Sequence, residues 1–117
     1  MLPKNRRISR ADFKKLEGER QRGRAYHSPL LSLFLYQKLS NTPSQFAFSV
    51  SKKVSKKAVV RNKLRRRGYA SVQSVIQNIK PGYAVVFSFK KEAAEKDFQT
   101  TKAEIVGLLN KAGILLS

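Results

Sequence analysis

From Arg20 to Lys91 the chain carries no carboxylate, and that absence constrains every fold open to it. A buried cation without a partner is costly, and between the two ends of this stretch no Lys or Arg has an adjacent acidic residue in sequence to neutralise it. The core must therefore be apolar, and the cations must reach solvent or an external anion. All seven acidic residues lie outside the stretch, against 25 Lys and Arg, for a formal net charge of +18 over 117 residues. Self-repulsion on this scale is relieved by binding a polyanion, with release of condensed counterions. Nucleic acid is the partner class that fits. A membrane surface is the other anionic candidate, but the longest apolar stretches, Leu30 to Tyr36 and Tyr83 to Phe87, are too short to span a bilayer.

The length suits one domain, residues 1–117, with a basic N-terminal arm over 1–8. The arm lacks the apolar run of a secretory signal, so a cytoplasmic protein is expected. There is no cysteine, hence no disulfide or thiolate metal site.

Ser9 is placed to cap a helix, with Asp12 at the third position and Ile8 stapling onto Phe13, and glycines from Gly18 to Gly23 should end it. Leu31, Leu33 and Leu35 alternate with Ser32, Phe34 and Tyr36, a strand with one apolar and one polar-aromatic face. After a turn at Asn41-Thr42-Pro43-Ser44, Phe46, Phe48 and Val50 alternate with Ala47, Ser49 and Ser51, which predicts an antiparallel hairpin of the two strands. Val60, Leu64, Val72, Val75, Ile76 and Ile79 form one stripe of a long helix, with Gly68 at the missing turn and Lys80-Pro81-Gly82 as its stop. Tyr83 to Phe89 reads as another strand, and Phe98, Ile105, Leu108, Leu109 and Ala112 as a final helix stopped by Gly113. The order helix, strands, helix, strand, helix predicts an α+β two-layer sandwich with helices on a small, mainly antiparallel sheet.

The long helix opens in a dense basic run: Lys52, Lys53, Lys56, Lys57, Arg61, Lys63, Arg65, Arg66 and Arg67, with Asn62 among them. A solvated face is the bland reading of such a run. At 100° per residue, however, Arg61 and Arg65 share an arc with Gly68 and Val72, while Asn62 and Arg66 fall nearly opposite Val60 and Leu64. Cations nearly encircle the first turns, so this half should overhang the sheet edge, leaving Arg61, Lys63, Arg65, Arg66 and Arg67 free for phosphates.

Ser51-Lys52-Lys53 followed by Arg61-Asn62-Lys63-Leu64-Arg65-Arg66 resembles the strand end and basic helix of the bacterial ribonuclease P proteins. The resemblance extends over nearly the whole chain through Asp12-Phe13, Leu35-Tyr36 and the closing strand and helix. It implies about four strands flanked by three helices, with a left-handed crossover at the basic helix that ordinary topology would not suggest. It also implies two RNA surfaces. The basic helix, with Lys52, Lys53, Lys56, Lys57, Arg61, Asn62, Lys63, Arg65, Arg66 and Arg67, would meet the catalytic RNA. A cleft between the first helix and the sheet, lined by Phe13, Phe34 and Tyr36, would hold the 5′ leader of precursor tRNA, since aromatic faces stack on unpaired bases. Tyr36 is the best placed of the three, because its ring can stack while its hydroxyl stays in water; core packing is the competing role for Phe13 and Phe34, and edge packing for Tyr36. The chain departs from the family pattern at Glu17, where a second aromatic is usual, at Ser55-Lys56-Lys57, where Gly-Asn is usual, and at Tyr69, where a base is usual.

Protein nucleases need clustered carboxylates for metal ions or a working histidine. His27 stands alone and reads as a surface or phosphate-contacting residue, and Glu92 and Glu95 lie among Lys90, Lys91 and Lys96. No catalytic or metal-binding residue is assigned to the chain. Under the family reading, the chemistry belongs to the RNA, with Mg2+ held mainly by RNA and substrate, and no obligate protein partner is expected. A ribosomal or ribosome-assembly RNA-binding protein is the alternative that shares this charge and fold class.

Overall fold

The computed structural model describes residues 2–18, 23–38 and 42–116, without the side chains at 17 and 18. The expectations at Glu17 and Asn41, and those between residues 19 and 22, therefore lie outside the described residues. Helix α1 (Arg10–Gly18) is followed by β1 (Arg24–His27), β2 (Leu31–Gln37), β3 (Gln45–Ser49), α2 (Ala58–Gln73), β4 (Tyr83–Phe89) and α3 (Phe98–Lys111). The strands form one sheet in the order β1-β2-β4-β3.

Antiparallel pairing joins β1 to β2 and β2 to β4, whereas β3 runs parallel to β4. This corrects the expected hairpin: β2 and β3 are consecutive but not paired, because β4 lies between them. The crossover through α2 returns the chain to the same end of the sheet, which makes β3 and β4 parallel. The hairpin partner of β2 is instead β1, where only Tyr26 is packed against the main core. An edge strand with one inward side chain carries almost no alternation to read.

The two sheet faces follow the predicted alternation. Leu31, Leu33, Leu35, Phe46, Phe48, Val85, Phe87 and Phe89 belong to the main core with Leu64 and Val72 of α2 and Ile105, Leu108 and Leu109 of α3. Phe48 stacks on Phe87 at 4.8 Å between ring centroids and meets the edge of Tyr69 at 4.9 Å. The other face carries Tyr36, Ala47, Ala84 and Val86, against which Ile8, Phe13, Leu16 and Phe34 pack. Ser9 Oγ accepts the Asp12 backbone N–H at 3.1 Å, so the predicted cap holds α1 in place.

Helix α2 stops at Gln73, earlier than its apolar stripe suggests. Ser71 Oγ donates to the Arg67 carbonyl at 2.7 Å, and Ser74 Oγ to the Ser71 carbonyl at 2.6 Å. Such back-bonding competes with the helical ladder, and a short 3-10 turn, Ile76–Asn78, follows. Val75, Ile76 and Ile79 still reach the core. Helix α3 starts as a capped helix, with Asp97 Oδ1 accepting the Thr100 N–H at 2.8 Å, and Gly113 closes it at φ +78°. The N-terminal arm is docked rather than free. Leu2 is buried, Arg6 Nε donates to the Ser44 carbonyl at 2.8 Å, and Ile8 N–H donates to Phe46 on the outer edge of β3. That edge would otherwise present unpaired backbone groups.

The approach of α2 to the sheet depends on Gly68. A Cβ there would lie 2.5 Å from the Phe48 ring, which is itself wedged against Phe87, Phe89 and Tyr69. Gly68→Ala gains roughly 1 kcal/mol of helix propensity but overpacks a rigid site, at a cost of about 1–3 kcal/mol. The expected result in urea or thermal unfolding is a net loss of up to about 2 kcal/mol; a raised midpoint would contradict this packing.

Candidate nucleic-acid interface

The basic run spans the turn before α2 and its first three turns. Lys52, Lys53, Lys56 and Lys57 are exposed in the approach, with Lys57 at the N-cap, and Asn62, Lys63 and Arg66 are exposed on the helix. The expectation that five cations stand free needs correction. Arg61, Arg65 and Arg67 are half-buried. Arg61 Nη1 donates to the Ser55 carbonyl at 2.9 Å, and Arg67 Nη1 to the Lys96 carbonyl at 2.9 Å on the α3 side. Arg65 Nη2 donates to Asn62 Oδ1. Leu64 is only 1% exposed, so α2 seats on the core from its second turn and overhangs only at its first. Neutral carbonyls absorb hydrogen bonds without cancelling charge, so the positive field of the helix persists.

Asn62, Arg65 and Arg66 come together with Arg7, Val59 and Tyr69 along one open groove. Val59 is 76% exposed within it, an apolar side chain framed by cations.

The second surface is a cleft between α1 and the open sheet face, lined by Phe13, Leu16, Phe34, Tyr36, Ser49, Val86 and Ser88. It unites the three predicted aromatics. Phe13 and Phe34 are half-buried, with ring surface facing the cleft, whereas Tyr36 is 7% exposed. A Cβ at Gly23 would lie 2.7 Å from the Tyr36 ring, so this residue is packed in as a wall. The open stacking surface therefore belongs to Phe13 and Phe34 more than to Tyr36, which corrects the expectation of a freely stacking Tyr36.

Arg65 and Tyr69 also line a third groove with Arg10, Phe13 and Ser49, which connects the α2 face to the cleft. No binding role was legible in the sequence for Arg7, Arg10, Tyr69, Ser49, Val86 and Ser88, although Arg7 belongs to the basic arm and Tyr69 stands at a motif position where a base is usual. The serines were visible in the alternation, but their convergence depends on strand order. Burial raises the Tyr69 phenol above its ordinary pKa, partly offset by the backbone of Phe48 and the charges of Arg7 and Arg65. The ring remains a neutral, fixed edge where the two surfaces meet.

The carboxylates nearest the sheet and α3 serve structure. Glu104 accepts from Ser28 Oγ at 2.6 Å and from the Leu30 N–H at 3.0 Å, tying the β1–β2 turn to α3. Glu92 and Glu95 sit on the 3-10 turn Lys91–Glu95, with Glu92 and Glu95 both turned outward. Among the described residues, no three of His, Asp and Glu gather to hold a metal ion. No helix of the described residues is long and apolar enough to cross a membrane.

A difference titration of wild type against Tyr69→Phe should place this phenol above the ordinary 10.0. The folded state holds the proton more tightly, so its contribution to stability declines as pH climbs past the ordinary value towards the higher folded one. A midpoint at or below 10.0 would contradict the burial of this ring.

The family model described as Ribonuclease P matches residues 2–113. The chain is 38% identical over 119 aligned positions to the ribonuclease P protein component of Rippkaea orientalis, covering 97% of this chain and 91% of that one. It is 36% identical to that of Microcystis aeruginosa, covering 97% and 96%. Among solved structures, the Staphylococcus aureus RNase P protein superposes with a TM-score of 0.81 at 19% identity, covering 94% of this chain and 97% of that one. The Thermotoga maritima RNase P protein superposes with a TM-score of 0.76 at 23% identity, covering 90% and 96%. At such identities the superpositions speak for the shared α+β fold, and the sequence matches speak for descent: the chain belongs to the ribonuclease P protein component family.

Proposed function

We propose that this protein assists an RNA catalyst in removing the 5′ leader of precursor tRNA, holding the catalytic RNA on α2 and the single-stranded leader in the aromatic cleft. The observation that carries this reading is the continuity of the two surfaces through Arg65 and Tyr69. A protein that only coated one RNA would have no need of an aromatic cleft opening onto its basic helix. Phosphates of the catalytic RNA would lie along Lys52, Lys53, Lys56, Lys57, Asn62, Lys63, Arg65 and Arg66, with Arg61 and Arg67 adding charge from behind their carbonyl contacts. Unpaired leader bases would stack on Phe13 and Phe34 against the wall made by Tyr36.

The bond-breaking centre is assigned to the RNA. In support, Glu104 and Asp97 are committed to structural hydrogen bonds, and the described carboxylates form no cation-holding group. Mg2+ is accordingly placed on the RNA and the substrate. The chain's cations would lower the demand for it by screening phosphate repulsion where the RNAs converge. The assembly is placed in the cytoplasm, with its RNA as the one required partner.

Two sets of variants test the reading. Replacing Arg65 and Arg66 by Ala should weaken binding of a bacterial ribonuclease P RNA. It should also flatten the log-affinity against log-salt slope by about one unit for each phosphate no longer neutralised; an unchanged slope removes α2 from the interface. Phe34→Ala should weaken binding of a leader-bearing precursor by about tenfold, the cost of roughly one stacked base, and leave mature tRNA untouched. Equal losses for both substrates would refute the leader assignment.

A further inference from the structure

The face of the sheet that carries the cleft is only partly covered. Helix α1 and the segment before it pack on Tyr36, Ala47, Ala84 and Val86 through Ile8, Phe13 and Leu16. The next row of side chains on this face is polar in every strand. Ser49 of β3 is in register with Ser88 of β4, Ser88 with Ser32 of β2, and Ser32 with His27 of β1. Residues paired across a ladder point to the same face. Strands lie about 4.8 Å apart, so the row crosses the sheet over roughly 14 Å.

Its two ends differ. Ser49 lies in the groove with Arg10, Arg65 and Tyr69, where the cleft meets the basic helix. His27, at the far end, is exposed, and its Nδ1 shares a 2.7 Å hydrogen bond with Ser32 Oγ. Its ring meets Phe34 edge-on at 6.4 Å. The imidazole is thus oriented by two neighbours on the cleft face, and Nε2 stays outside the Ser32 bond. Beside it, Lys90 Nζ donates to the Ser28 carbonyl at 2.7 Å, adding a cation at this end of the sheet.

We infer that this row, which starts inside the cleft at Ser49 and Ser88, carries the leader path on across the sheet to Ser32 and His27, where His27 reads by hydrogen bonding nucleotides beyond those stacked on Phe13 and Phe34. The inference rests on the leader reading of the cleft. The occupant is single-stranded RNA. A net charge of +18, with no carboxylate from Arg20 to Lys91, favours a polyanion. Hydroxyls and an imidazole beside aromatic rings match the 2′-hydroxyls, base edges and phosphates of an unpaired strand. A duplex would present a phosphate backbone and have little use for this flat, weakly charged strip. Because the row starts where the cleft meets the catalytic-RNA face and ends at β1, His27 lies at the end remote from that face. Only a leader long enough to cross the sheet reaches it.

The test uses enzyme reconstituted from a bacterial ribonuclease P RNA and the full-length protein. Affinity is measured for two precursors that share a tRNA, one with a leader ending within the aromatic cleft and one with a long leader. His27→Ala should weaken binding of the long-leader precursor about three- to tenfold, as for loss of one hydrogen bond, and leave the short-leader precursor unchanged. Phe34→Ala should weaken both. His27 is exposed, so its variant should melt with the wild type. Unchanged long-leader affinity in His27→Ala, with Phe34→Ala still defective, overturns the row and spares the cleft. An equal loss for both precursors in His27→Ala also overturns it. No effect of Phe34→Ala on either precursor removes the cleft reading and this inference together.

Discussion

The close approach of Gly68 to the Phe48 ring sets the distance between α2 and the sheet, and the rest of the arrangement depends on it. It lets Leu64 and Val72 reach the core that β2, β3 and β4 present. It also places Tyr69, the next residue, against the edge of Phe48, where its ring meets Arg7 from the arm and Arg65 from its own helix. The basic face of α2 and the aromatic cleft therefore share a border. A bulkier residue at 68 would separate them, whatever cations the helix carried.

Charge shapes the molecule in a complementary way. With no acid between Arg20 and Lys91, the half-buried arginines of α2 satisfy their guanidinium groups on backbone carbonyls at Ser55 and Lys96 and on the Asn62 amide. Those acceptors orient the side chains but leave the net charge in place. Two of the carboxylates hold structure, Asp97 at the start of α3, within the field of Arg67, and Glu104 at the β1–β2 turn. The hydrogen bond from Thr100 lowers the Asp97 pKa, so its cap fails only in acid. The half-buried guanidinium groups are thus satisfied while the basic face keeps its positive charge.

Periodic features were readable directly. Leu31, Leu33 and Leu35 turned inward and Ser32, Phe34 and Tyr36 outward, Ser9 capped α1, and Gly113 ended α3. What depends on strand order was not. The apolar and aromatic run from Tyr83 to Phe89 marked a strand, but it did not reveal that this strand would lie between β2 and β3, with β3 parallel on its far side. Strand β1 escaped notice because only Tyr26 turns to the core. The end of α2 was set by serine hydroxyls that bond back to its own carbonyls, a choice decided by tertiary packing. For the site, residue types identified the aromatics and cations. The burial of Tyr36, the docked arm with Arg7, and the hydroxyl row required the register of four strands.

The proposed role, one continuous protein surface bringing a catalytic RNA and a 5′ leader together, has a direct functional consequence. It is measured most directly by cleavage of a 5′-extended precursor tRNA by a bacterial ribonuclease P RNA at low Mg2+, with and without the protein. The expected result is that the protein stimulates release of an intact leader and cleaves nothing alone. Absence of stimulation with several such RNAs, or leader cleavage by the protein alone, would contradict this role.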